Sequence, residues 1–86
     1  MKEQEVVIGH RLGLHARAAA RLVQLSSKFQ SKIVLFRCDS SLVEADARSI
    51  LSILLLSAAY GSKIGVRATG ADEDQAVASI CEYLTG

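Results

Sequence analysis

The sequence predicts an α+β fold of two layers, with three helices on one face of a four-stranded, mostly antiparallel sheet. Three observations lead there. The elements read in the order β-α-β-β-α-β-α, the two middle strands lie close enough in sequence to form a hairpin, and each helix carries one apolar stripe that needs one covering surface. The pattern leaves strand order open.

Glu3 to Gly9 (EQEVVIG) is short, β-branched and stopped by glycine, which suits a first strand. From Ala16 to Phe29, the residues Ala19, Leu22, Val23 and Phe29, with the small Ser26, recur at helical spacing, while Arg21, Gln24 and Lys28 fall opposite. Ser31 to Cys38 (SKIVLFRC) is a second strand. Asp39 to Ser41 supplies turn residues, and Leu42 to Asp46 completes the hairpin. A second helix is expected from about Ala47 toward Gly61, with Asp46 as its N-cap. In Lys63 to Thr69, Ile64, Val66 and Ala68 alternate with Gly65, Arg67 and Thr69, so one face of that strand is buried and the other is wet or paired. Three acids in Gly70 to Asp74 (GADED) suit the start of a third helix, whose buried stripe is Ala76, Val77, Ile80, Cys81 and Leu84.

Composition sets limits on function. A chain of 86 residues is expected to form one domain, residues 1–86, with no room for a separate catalytic lobe. Ten basic and nine acidic residues are too balanced for nucleic-acid binding through charge alone. Arg11, Arg17 and Arg21 have no aromatic residue near them in sequence to serve as a stacking platform. Cys38 and Cys81 lie far apart without metal-ligand spacing and are expected to be reduced, partly buried thiols. The N-terminus lacks the apolar core of a signal peptide, and Ser49 to Gly61 is too short and too serine-interrupted to span a bilayer. A soluble, cytoplasmic protein without membrane insertion is expected.

The chemistry concentrates in GLHARAAARL, Gly13 to Leu22. A helix starting at Ala16 leaves the backbone N–H groups of Ala16, Arg17 and Ala18 without intrahelical partners, and with the helix dipole they make an anion site. His15 stands beside it, and Arg17 adds a forked donor set suited to phosphate. A neutral imidazole nitrogen can attack phosphorus, so this junction could hold a phosphoryl group on His15. A histidine at a helix start is also commonly a solvated cap or a packing residue. The sequence offers no second catalytic group, metal set, Walker-type loop or GxGxxG, as fits a residue that accepts and passes on a group rather than a self-sufficient kinase or hydrolase.

GLHAR before an alanine-rich helix start, together with the length, the element order and the late ATGADED stretch, resembles the HPr family, the histidine-containing phosphocarriers of the phosphoenolpyruvate-dependent sugar phosphotransferase system. The resemblance covers nearly the whole chain. It implies an open-faced β-sandwich with strand order 1-4-2-3, phosphorylation of His15 on Nδ1 by enzyme I, assistance from Arg17, and transfer to enzyme II A-type domains. No cofactor or metal is implied. It further implies that Ser49, opening the middle helix, is the target of an ATP-dependent HPr kinase/phosphorylase, which would couple the protein to a catabolite-control regulator. Ile50, Leu51 and Leu54 match the family's docking surface. By pattern alone all three could be core, but ILSILLL holds more apolar residues than one buried stripe requires, and Ile50 or Leu51 is expected to face out.

Two departures stand out. Ala18 occupies the place of the family's usual proline, which would fix φ in the first helical turn. Alanine keeps the helix and adds an N–H, at the cost of a looser first turn. Leu12 replaces a small polar residue, and with the slightly long RCDSSLVEAD hairpin it looks more like the nitrogen-related branch of the family, which feeds a regulatory relay. A regulatory interaction module of the same fold is the alternative to a phosphocarrier. His10 is expected to sit exposed at the strand end without a direct role.

Overall fold

A computed structural model describes residues 1–39 and 43–86. Its elements are β1 (Lys2–Val7), α1 (Ala16–Ser26), β2 (Lys32–Arg37), β3 (Glu44–Asp46), α2 (Ile50–Leu56), β4 (Lys63–Thr69) and α3 (Glu73–Leu84). The strands form one antiparallel sheet in the order β1-β4-β2-β3, the order implied by the family resemblance. Of the expected hairpin, Ser40 and Ser41 of the turn and Leu42 of the second strand lie outside the described residues.

The core fills the space between the sheet and the helices. Ile64, Val66 and Ala68 of β4 and Ile33 and Leu35 of β2 turn inward, where they meet Leu22, Ile53, Leu56, Ile80 and Leu84 from the helices, all essentially without exposure. The other sheet face is polar and paired. Arg67 bonds Glu3 at 3.1 Å and Glu44 at 3.3 Å, and its guanidinium lies 4.9 Å from the centre of the Phe36 ring. Cys38 is a half-buried free thiol and Cys81 a buried one, and burial raises the pKa of both, with Glu5 adding to the effect at Cys38.

Several boundaries differ from the sequence-based expectation. α1 ends at Ser26 rather than Phe29 because the chain tightens into i→i−3 turns at Lys28 and Phe29, while Arg48 caps the segment by donating to the carbonyls of Ser26, Phe29 and Ser31. α2 starts three residues later than expected, and Asp46 is not its cap. Asp46 is committed to the sheet opposite Val34, and its carboxylate accepts the Arg48 N–H at 2.9 Å. Ser49 caps the helix instead, its hydroxyl accepting the Ser52 N–H at 3.2 Å. α2 stops at Leu56, well before Gly61, because Ser57 adopts a left-handed conformation and Arg37 donates to the Leu56 and Ser57 carbonyls. β1 leaves the ladder at Val7, and Ile8 and Gly9 bond Ser62 and Leu84 instead.

Candidate functional site

The segment from Gly9 to His15 carries the chain from β1 to α1, and two glycines fix its path. At Gly9 a Cβ would come within 1.9 Å of the Thr85 carbonyl oxygen, so only glycine lets the end of α3 pass this close. Gly13 has φ +68°, closes a turn onto the His10 carbonyl, and lies against the Ala58 carbonyl, which a Cβ would approach to 2.6 Å. Next in line, Leu14 is buried and donates its N–H to that same Ala58 carbonyl at 2.9 Å. The segment is thereby pinned to the loop after α2, and the next residue, His15, falls at the N-cap of α1.

His15 is half-buried and extended, and its carbonyl accepts the Ala19 N–H at 2.8 Å, the first bond of the helix. Its side chain caps nothing. Serine or aspartate at this position would consume an amide of the first turn, whereas here the ring and the N–H groups of Ala16, Arg17 and Ala18 all remain available. No acid stands in that first turn. Ala16 and Arg17 are exposed, Ala18 is buried, and among the described residues Arg17 enters no ion pair. The junction therefore presents convergent donors, a positive helix end and an uncommitted guanidinium to an anion beside an imidazole.

The predicted docking residues lie on α2. Ile50, Leu51 and Leu54 are all exposed, Leu51 at 67%, while Ile53 and Leu56 alone of the helix are buried. Leu55, at 69%, joins them and was not singled out from sequence, because a run of leucines does not declare which of its faces is the wet one. Leu12 is 80% exposed, and it shares a shallow depression with His15 and Ser57 to Ala59, which links the histidine to the end of α2. Leu12 and these α2 residues are large apolar side chains left exposed. Ser49 is half-buried at the far end of the same helix.

The position expected for His10 is corrected. It is half-buried rather than exposed, and its Nε2 lies 2.8 Å from the Tyr83 carbonyl oxygen because the end of α3 closes over it. Among the described residues no group of three or more His, Cys, Asp or Glu is placed to hold a metal ion, and no helix is long and apolar enough to cross a membrane.

Residues 2–85 match the family model described as the PTS HPr component phosphorylation site. The chain belongs to the HPr family of phosphocarriers. The HPr of Xylella fastidiosa strain 9a5c is 44% identical over 84 residues, covering 98% of this chain and 91% of the relative. The phosphocarrier NPr of Escherichia coli K12 is 37% identical over 78 residues, covering 91% and 84%. Among solved structures, HPr from Thermoanaerobacter tengcongensis superposes with a TM-score of 0.87 at 34% identity, covering 98% of this chain and 91% of that one. HPr proteins carry a phosphoryl group within the phosphotransferase system together with its other components, and they are carriers rather than catalytic enzymes.

Proposed function

We propose that residues 1–86 act as one cytoplasmic phosphocarrier domain that receives a phosphoryl group on His15 from enzyme I, with phosphoenolpyruvate as the source, and hands it to enzyme II A-type domains for sugar uptake. The observation that carries this reading is the unengaged His15 ring at the N-cap of a helix whose first amides are free and whose first turn holds no acid. In transfer, the bond from phosphorus to enzyme I breaks as a bond to Nδ1 of the neutral imidazole forms. The amides of Ala16, Arg17 and Ala18 and the Arg17 guanidinium then stabilise the phosphoryl oxygens. Ile50, Leu51 and Leu54 seat both partners in turn.

A second role for Ser49, phosphorylation by an HPr kinase/phosphorylase and recruitment of a catabolite-control regulator, is compatible with its place as helix cap. A phosphate there complements the helix dipole and need not unfold the chain. The nitrogen-related relay is the alternative destination, and the observation that favours it is Leu12, exposed beside His15 where sugar-pathway members more often have a small polar residue.

Incubation with phosphoenolpyruvate and enzyme I is expected to give one acid-labile phosphoryl adduct by mass spectrometry, absent in His15→Ala. Failure of the wild type, with an enzyme I proven active on another carrier, overturns the reading. Adding the phosphorylated chain to sugar-type or nitrogen-type A domains identifies the acceptor. An acid-stable adduct formed with ATP and the kinase, lost in Ser49→Ala, is the corresponding check on the serine.

A further inference from the structure

Tyr83, in the last turn of α3, is joined at three points to the segments that place His15. Its hydroxyl donates to the Ala18 carbonyl at 3.1 Å. Its ring packs against the His10 ring with centroids 4.9 Å apart and an interplanar angle of 47°. Its own carbonyl accepts from His10 Nε2 at 2.8 Å. The Gly9 N–H adds a backbone bond to the neighbouring Leu84 carbonyl at 2.9 Å, so the end of α3 is latched to the His15 loop at two successive residues. Tyr83, His10 and His15 line one pocket of about 100 Å³ with Arg17, Ala18 and Arg21. Burial raises the pKa of the Tyr83 phenol, partly countered by Arg21, so at neutral pH the hydroxyl is a donor.

The acceptor matters because Ala18 belongs to the first turn of α1, where the chain supplies little rigidity of its own. Helix ends fray, and alanine leaves φ free where proline would fix it. The three free amides act together on one anion only while that turn is held in a single conformation. The Ala18 carbonyl has two lone pairs, one directed along the helix and one free for the phenol. Among the described residues, the Tyr83 hydroxyl is the one side-chain group from another element that hydrogen-bonds the Ala16–Ala18 turn. We propose that Tyr83, set in place by His10, is a positioning residue for phosphoryl transfer: its hydroxyl anchors the first turn of α1 so that the amides of Ala16 to Ala18 stay convergent on the phosphoryl group of His15. The proposal rests on His15 being the phosphoryl acceptor.

The test is Tyr83→Phe, which removes the hydroxyl and keeps the ring. Single-turnover transfer from phosphorylated enzyme I should slow about three- to tenfold at saturating carrier, as loss of one such hydrogen bond implies, with the half-saturating concentration unchanged. In an Ala18→Pro background, where φ is fixed covalently, the same substitution should change the rate by less than about twofold. Amide hydrogen exchange provides a readout independent of transfer. The Ala19 N–H, which closes the first turn onto His15, should exchange faster in Tyr83→Phe, while Val77 and Ile80 in α3 stay protected. Wild-type transfer rates in Tyr83→Phe, equal slowing in both backgrounds, or unchanged exchange at Ala19 would each overturn the proposal. A wild type that takes no adduct overturns the acceptor role of His15 instead, and exchange at Ala19 then still decides whether Tyr83 anchors the turn.

Discussion

The starts of α1 and α3 are built from the same backbone and treated in opposite ways. α3 opens with Glu73 and Asp74 in its first turn and Asp72 at its N-cap, so the positive end of its dipole is already matched by carboxylates. Asp72 does not cap its own helix. It reaches back to the N–H groups of Gln30 and Ser31, each at 2.9 Å, and to the Ser31 hydroxyl, tying α3 to the segment that enters β2. α1 opens with a histidine that caps nothing, no acid, and arginines at 17 and 21. One helix start uses its field internally to hold the fold; the other leaves that field directed at solvent. The start of α2 falls between them, closed by the Ser49 hydroxyl but free of acids.

If that contrast is functional, removing charge from the α1 start has a large effect on transfer and little on folding. Arg17→Ala, which removes an exposed guanidinium without an ion-pair partner among the described residues, is expected to slow transfer from enzyme I about tenfold to hundredfold, the range for charge-assisted hydrogen bonds, with thermal stability essentially unchanged. Rapid-quench kinetics and a melting curve on the same sample check both halves. A melt that falls with the rate would put Arg17 among the structural residues and erase the contrast.

Making α1 resemble α3 is the converse experiment, with a smaller effect. Ala16→Asp places a carboxylate in the exposed first turn of α1 and should stabilise the protein by about 0.3–1 kcal/mol through the dipole, read from denaturant unfolding. The same carboxylate repels the incoming phosphoryl group, so transfer should slow severalfold. Stability and activity therefore move in opposite directions. Parallel movement would mean that the α1 start is ordinary helix rather than an anion site.

How far the sequence foretold this arrangement depended on the distance over which each feature is decided. The β4 alternation and the α3 stripe are set by burial on one face, so Ile64, Val66, Ala76, Val77, Ile80 and Leu84 were legible, and His15 with its free amides followed from a local helix start. The start of α2 was misplaced because the competition for Asp46 is settled by pairing with β2, which no short window contains. Leu55 was overlooked because an apolar run does not reveal which face the sheet covers. The expectation that His10 is exposed fails, and Tyr83 is not singled out by the sequence, because their contact joins positions 73 residues apart.

The smallest effect lies at the α3 start and concerns pH. The Ser31 hydroxyl first, then the Gln30 and Ser31 amides, hold the Asp72 carboxyl below its ordinary value of 3.8. A carboxylate with a lowered folded pKa stabilises the native state fully above its unfolded pKa, and that stabilisation fades as pH falls through the folded value. Asp72→Asn should therefore be less stable than the wild type at pH 7, and the gap should narrow as pH is lowered below 4 and close in strong acid, where the wild-type carboxyl is also neutral. Melting temperatures of both proteins from pH 7 to pH 2 read this directly. Because the Asp72 carboxylate is engaged by Gln30 and Ser31 and lines neither depression that contains His15, transfer from enzyme I at pH 7 should be the same for both proteins, whereas Ala16→Asp and Arg17→Ala should alter it. A gap that stays constant down to pH 2 would assign the Asp72 effect to lost packing rather than charge, and the opposition between the two helix starts would then be one of shape alone.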